Sequence, residues 1–187
     1  MRILYTGGPF VPAYTITSAL NTAAGVAATL RGSIYVADTG SGAIRLLTPI
    51  PGTTGLFNIS DVGSERYQSP EGIAVDAAGN VFVGERGAVR RIAPGGAVTT
   101  LASGFLRPAA LAADALGNVY VADRSDGALW KVAPSGLATR WAQLGDPAGI
   151  AIAADGSVYV ADAAAHAVRR IEVVRTETPP RRRAARH

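Results

Sequence analysis

Acidic residues stand at one repeated place in this sequence. Asp38, Asp123 and Asp162 each close a Tyr-Val-Ala-Asp run, and Glu85 closes Val-Phe-Val-Gly-Glu. A ring of such acids on one face is a donor set that a divalent cation takes. The spacing also has a structural reading. An Asp at a strand end caps backbone N–H groups of the adjoining loop. It can also pair with a cation on the following strand, and Arg45, Arg90 or Arg91, Lys131, and Arg169 or Arg170 stand there. Recurrence in every copy favours the structural role, and Asp76 and Asp114 read the same way. Zinc chemistry has little support. A catalytic zinc takes about three protein ligands, yet there is no cysteine, and of the two histidines one is the last residue, which leaves His166. Gly-x-Ser-x-Gly and P-loop patterns are absent.

A second group of residues suits binding rather than bond-making. Arg66, Tyr67, Arg86, Phe105, Arg107, Arg124, Asp126, Asp146 and His166 all fall in short connections between apolar runs. Mixed charge with a few aromatics fits a protein, a peptide or a small polar ligand. Tyr67 and Phe105 are the expected anchors, since large flat side chains dominate binding hot spots. The alternative is a solvated loop face with no ligand.

The elements that position these residues follow from the stretch Ser69–Gly104. Gly72–Val75 is a short apolar run, and Asp76-Ala77-Ala78-Gly79-Asn80 is a turn, with Gly79 suited to positive φ. Val81–Val83 is a β-branched and aromatic strand. Glu85-Arg86-Gly87 turns the chain again, Ala88–Ile92 is a third strand, Pro94-Gly95-Gly96 a third turn, and Ala97–Leu101 a fourth strand. The spacing predicts a four-stranded antiparallel meander. It returns along the chain. Pro70, Pro108 and Pro147 are 38 and 39 residues apart, and Gly79, Gly117 and Gly156 keep the same steps. An earlier copy runs through Gly25–Ala28 and Ile34–Asp38, with Ala43–Leu47 and Gly55–Ile59 as its outer strands. A period near 40 with four strands in each is the mark of a β-propeller. The expected fold is all-β, a propeller of four-stranded antiparallel blades with about four blades present, in repeats of 22–68, 69–106, 107–145 and 146–174.

The run P-x-G-I-A-V-D-x-x-G-N-V-F-V, followed by a short loop and V-R-R-I, resembles the NHL repeat over roughly residues 22–174. The resemblance implies a propeller used as a protein-binding, RNA-binding or sensor module. More distantly it points to lactonase and lyase propellers, including gluconolactonase-like ones. Fold does not fix function. The leading expectation is a non-catalytic binding or sensor module that uses the loop face, with no cofactor. The alternative is a metal-dependent lactonase-like hydrolase or a lyase, which would need a divalent cation. In lactonase-type relatives the resemblance implies Glu, Asn and Asp on the inner strands. The inner strands here, Gly25–Ala28, Gly72–Val75, Ala110–Ala113 and Gly149–Ile152, carry no acid or amide.

The first copy is irregular. From the end of its third strand to the next opening proline takes 23 residues, against 16 and 15 in the next two. The extra residues lie in the loop leading to Pro70, on the face where repeat proteins carry function, although a family-typical spacer reads equally well. Residues 1–17 are expected to supply strands of a preceding blade, or else a plain leading hairpin. The last copy has three strands, so ring closure is expected to need a second chain or a further segment.

Charge is uneven. The chain has 18 Lys and Arg against 14 Asp and Glu, a net +4. Arg175, Arg181, Arg182, Arg183 and Arg186 against Glu177 account for all of that excess, so residues 1–174 are neutral overall. A nucleic-acid-binding body would show a basic surface, so nucleic acid is expected, if at all, through the tail. Residues 175–187 are expected to be disordered, and out-of-frame sequence is an alternative reading of them. No apolar run reaches the ~20 residues of a membrane span, and no signal-peptide core is visible after Met1. The expectation is a soluble chain.

Overall fold

The computed structural model describes residues 17–171, apart from Ser18, Thr54 and Ser64. The strands expected within residues 1–16 and the tail 175–187 lie outside the described residues. The described chain is all β, in four antiparallel sheets arranged as a four-blade β-propeller. The first blade is β1 (Ala23–Ala28), β2 (Ile34–Asp38), β3 (Ala43–Pro49) and β4 (Phe57–Asp61). The second is β5 (Ile73–Val75), β6 (Val81–Glu85), β7 (Gly87–Ile92) and β8 (Val98–Phe105). The third is β9 (Pro108–Ala113), β10 (Val119–Asp123), β11 (Ala128–Val132) and β12 (Ala138–Gln143). The fourth has β13 (Pro147–Ile152), β14 (Val158–Asp162) and β15 (Ala167–Ile171). Within each sheet the strands pair in chain order, as a meander of short turns requires.

Local chemistry makes the turns. In the second blade the Asp76 carboxylate accepts the Asn80 backbone N–H at 2.8 Å and its side-chain amide at 2.6 Å. Gly79 between them takes φ +82°, which only glycine adopts without strain. The third blade repeats this at Asp114 and Asn118. The sequence places the fourth strand of the first blade at 55–59, but it forms two residues later. Gly55 turns at φ +76°, and the register sets Arg45 against Asp61, where the two side chains make an ion pair.

Strand alternation distributes each blade between two neighbours. Val81 and Val83 pack with Ala37, Ile44, Tyr67 and Ile73 at the seam between the first and second blades. Phe82, the residue between them, packs with Val89, Phe105, Leu111, Val119 and Val121 at the seam between the second and third. Tyr120 and Leu129 then meet Val158 and Val160 at the third seam. The core of the described residues is therefore three seams, one between each successive pair of blades. The inner strands β1, β5, β9 and β13 lie next to one another in that order. On the outward sides of the described end blades, Val26 is 68% exposed and Val168 71%.

Candidate functional site

The repeated acids are clamps. Oδ1 of Asp38 accepts the Asn21 backbone N–H at 2.8 Å, and Glu85 accepts that of Gln68 at 2.7 Å. Asp123 accepts those of Leu106, Arg107 and Asp126 at 2.7, 2.8 and 3.2 Å. Asp162 accepts those of Gly145 and Asp146 at 3.3 and 3.0 Å. Each buried acid thus ties down the loop that leads into its own blade, and Asp38, Asp123 and Asp162 also hold the loop that follows, through Ser41, Asp126 and Ala165. The Asp146 N–H, against the opposing push of burial, and then Arg169 bring the Asp162 carboxyl down to about 2. Among the described residues, no three His, Cys, Asp or Glu side chains come together as a metal site requires.

The cation partners match the expectation in three blades and differ in one. Arg45 reaches Asp38 at 3.3 Å, Arg90 lies 3.8 Å from Glu85, and Arg169 reaches Asp162 at 2.8 Å. In the third blade Lys131 does not reach Asp123. The register sets Trp130 opposite Val121, where the other blades place an arginine opposite the matching valine. Lys131 points the other way, over the rings of Tyr120 and Trp141, at 5.6 and 5.3 Å.

The nine candidate binding residues fall into separate places. Tyr67 and Phe105 are 5% and 4% exposed, so neither is a free-standing anchor. Tyr67 is drawn into a seam because its loop is pulled inward, its N–H bonding the Gly42 carbonyl. Phe105, expected in a loop, is instead the last residue of β8, paired with Gly87, and its ring packs in the second seam. Arg66 is exposed, 3.6 Å from Asp61. Arg124 and Asp146 form a forked ion pair across the third seam at 2.6 and 2.7 Å. Asp126 accepts the Trp130 indole N–H at 3.0 Å and a fork from Arg140. His166 turns the β14–β15 loop at φ +49°, away from the rest.

Arg86, Phe105 and Arg107 come together. They line a cavity of about 690 Å³ with Thr39, Ser69, Glu71, Gly87, Leu106, Pro108 and Ser125. Every one of these residues belongs to a loop joining second to third strands or blade to blade, or to the strand ends beside it, so the cavity opens on one face of the propeller. Of its lining, Phe105 and Pro108 are buried, and Ser69, Arg86, Leu106, Arg107 and Ser125 are exposed. The cavity lies beside a shortened loop. In the second blade only Arg86 and Gly87 separate the last paired residues, Glu85 and Ala88. Four residues do so in the others, at 39–42, 124–127 and 163–166. Sequence reasoning named the aromatic and the arginines but missed Glu71, Ser69, Ser125 and Thr39. The short Glu85-Arg86-Gly87 connection was a readable signal for the opening.

The comparisons agree on the architecture. Residues 144–171 match the NHL repeat. No match is found among curated proteins. A chain of the nidogen/laminin complex is 22% identical, with a TM-score of 0.67 over 76% of this chain and 57% of that one. Virginiamycin B lyase from Staphylococcus aureus is 12% identical, with a TM-score of 0.64 over 83% and 54%. A gluconolactonase from Xanthomonas campestris is 13% identical, with a TM-score of 0.59 over 76% and 55%. At these identities the likeness is one of fold, and the chain spans just over half the length of the solved chains it matches. The described chain is a four-blade β-propeller whose last blade carries an NHL repeat.

Proposed function

We propose that this propeller is a binding module and that the cavity on its loop face, at the seam of the second and third blades, is its site. The observation that carries the reading is the composition of that cavity. It combines a buried aromatic floor at Phe105 with the exposed cation Arg86, whose side chain has no ion pair among the described residues. Concave, mostly apolar sites with a few polar groups are where ligands sit. The inner strands β1, β5, β9 and β13 hold no acid or amide that could build a reaction centre on the propeller axis. Fold relatives include a lyase and a gluconolactonase, so turnover is the competing reading.

The test is a fragment screen followed by backbone amide NMR, run beside a calorimetric titration with calcium and magnesium. Binding is expected to perturb Arg86, Gly87, Leu106 and Ser125, and Ser125→Trp, which fills the cavity, to abolish it. Tight divalent binding with lactone or ester turnover would replace this reading with the enzymatic one.

A further inference from the structure

The repeat supplies its own internal comparison for what the cavity takes. Arg107 and Asp146 hold the same repeat position: each precedes the opening proline of a blade, and each donates its backbone N–H to the clamp acid of that blade. Arg86 and Arg124 also match, each following the clamp acid of its blade. At the third seam the pair is complementary. Arg124 Nε and Nη2 meet the two Asp146 oxygens at 2.6 and 2.7 Å, the forked geometry in which guanidinium recognises carboxylate. At the second seam the carboxylate is replaced by Arg107, and two cations face the same opening.

Arg107 is itself only half used. Its Nε alone meets Glu71, at 3.0 and 3.1 Å to the two oxygens, and its terminal amino groups have no partner among the described residues. Glu71 is thus spent on one edge of one guanidinium, while Arg86 is left without a counter-charge among the described residues. The hydroxyls of Ser69 and Ser125 stand on the same rim, and Phe105, Leu106 and Pro108 supply the apolar part.

We infer that the cavity takes a carboxylate carried on an apolar body, with the carboxylate between Arg86 and Arg107 where the next seam has its own Asp146. This rests on the reading of the cavity as the binding site and names the class of its ligand. The apolar body lies against Phe105 and Leu106. The two-residue connection of the second blade leaves the room that four residues fill elsewhere.

The probes are 3-phenylpropionate, 3-phenylpropionamide and 3-phenylpropylamine, which share one body and differ in the head group. Each is titrated into the full chain and followed by backbone amide NMR. The acid is expected to shift Arg86, Gly87 and Ser125, and to bind at least about tenfold more tightly than the amide, as one lost charge-assisted pair implies. Arg86→Gln is expected to bring the acid down to the level of the amide. Arg107→Gln should weaken it as well, and Lys131→Gln on the outer part of the third blade should not. Equal binding of acid, amide and amine in the cavity overturns the carboxylate assignment and leaves the cavity as a binding site. No shift from any probe at those residues overturns both. A last arm separates sources. Tighter binding of N-acetyl-glycyl-phenylalanine than of 3-phenylpropionate identifies a peptide chain terminus, and the reverse identifies a free acid. Amide spectra of each variant matching the wild-type pattern outside the cavity show that the fold is kept.

Discussion

The backbone N–H of Arg107 lies 2.8 Å from Oδ1 of Asp123, sixteen residues further along the chain. That bond fixes the loop carrying Arg107 at the mouth of the cavity, and its equivalents fix the other blade-entry loops. The acid therefore serves the site by holding the loops that build it.

Asp123 accepts three backbone N–H bonds while fully buried and makes no ion pair among the described residues. Asp123→Ala would strand these donors away from water, at roughly 1–3 kcal/mol for each group left unsatisfied. The expected loss is about 3–5 kcal/mol in urea denaturation, with a smaller loss for Asp123→Asn, which keeps one acceptor. A change below about 1 kcal/mol would show that the clamp is dispensable.

Asp162 gives the pH dependence. Its carboxyl is lowered from an ordinary value near 4 to about 2 in the folded chain, so the unfolded chain binds the proton more readily. Its contribution to stability is present above the unfolded value and is lost as pH falls from about 4 through 2. Urea midpoints of the wild type should drop over that interval. Asp162→Asn should be less stable at pH 7 and flatter below pH 4. Parallel curves for the two proteins would remove Asp162 as a source of acid sensitivity.

Much of the fold was legible because its signals are local. The proline and glycine steps and the Tyr-Val-Ala-Asp runs each report a strand or turn within a few residues. The structural role of the acids was legible for the same reason. The cavity was harder to see because its rim is assembled across blades: Arg107 meets Glu71 from 36 residues away. Tyr67 and Phe105 were read as exposed anchors because a loop position suggests exposure. Bonds to Gly42 and Glu85 pull the Tyr67 loop inward, and β8 runs on as far as Phe105, so both rings enter seams. Lys131 was misassigned by one place, since the alternation that sends Trp130 to the arginine position depends on register and not on charge.

Tyr67 offers a test in the opposite direction. Its hydroxyl is buried and has no hydrogen-bond partner among the described residues, and burial, followed by Glu65, raises its pKa. Removing an unsatisfied buried polar group relieves its desolvation cost. Tyr67→Phe is therefore expected to be neutral or to stabilise by up to about 1 kcal/mol. A loss of more than that in thermal or urea unfolding would mean the hydroxyl is satisfied.

Gly84 marks a tight backbone approach at the second seam. A Cβ there would stand 2.4 Å from the Pro108 carbonyl oxygen and 2.8 Å from Leu111 Cδ1. Gly84→Ala must push the third blade away from the second, and overpacking of this kind costs about 1–3 kcal/mol or more. Gly95, with open space around its Cβ position, is the control. Gly95→Ala should be neutral or slightly stabilising, through the less flexible unfolded chain. Similar losses for both would refute the contact.

The alternation along β6 sets which substitutions know about one another. Val81 and Phe82 are joined by a peptide bond but pack in different seams, Val81 with Ile44 and Phe82 with Leu111. In double-mutant cycles the adjacent pair should therefore add nearly independently, while Phe82 and Leu111, almost thirty positions apart, should not. The unit that is duplicated in the sequence is the blade, whereas the unit that coheres energetically is the seam. A copied blade fits only when both of its half-seams find matching halves, so drift in one blade constrains the facing strands of the next more than the strand beside it.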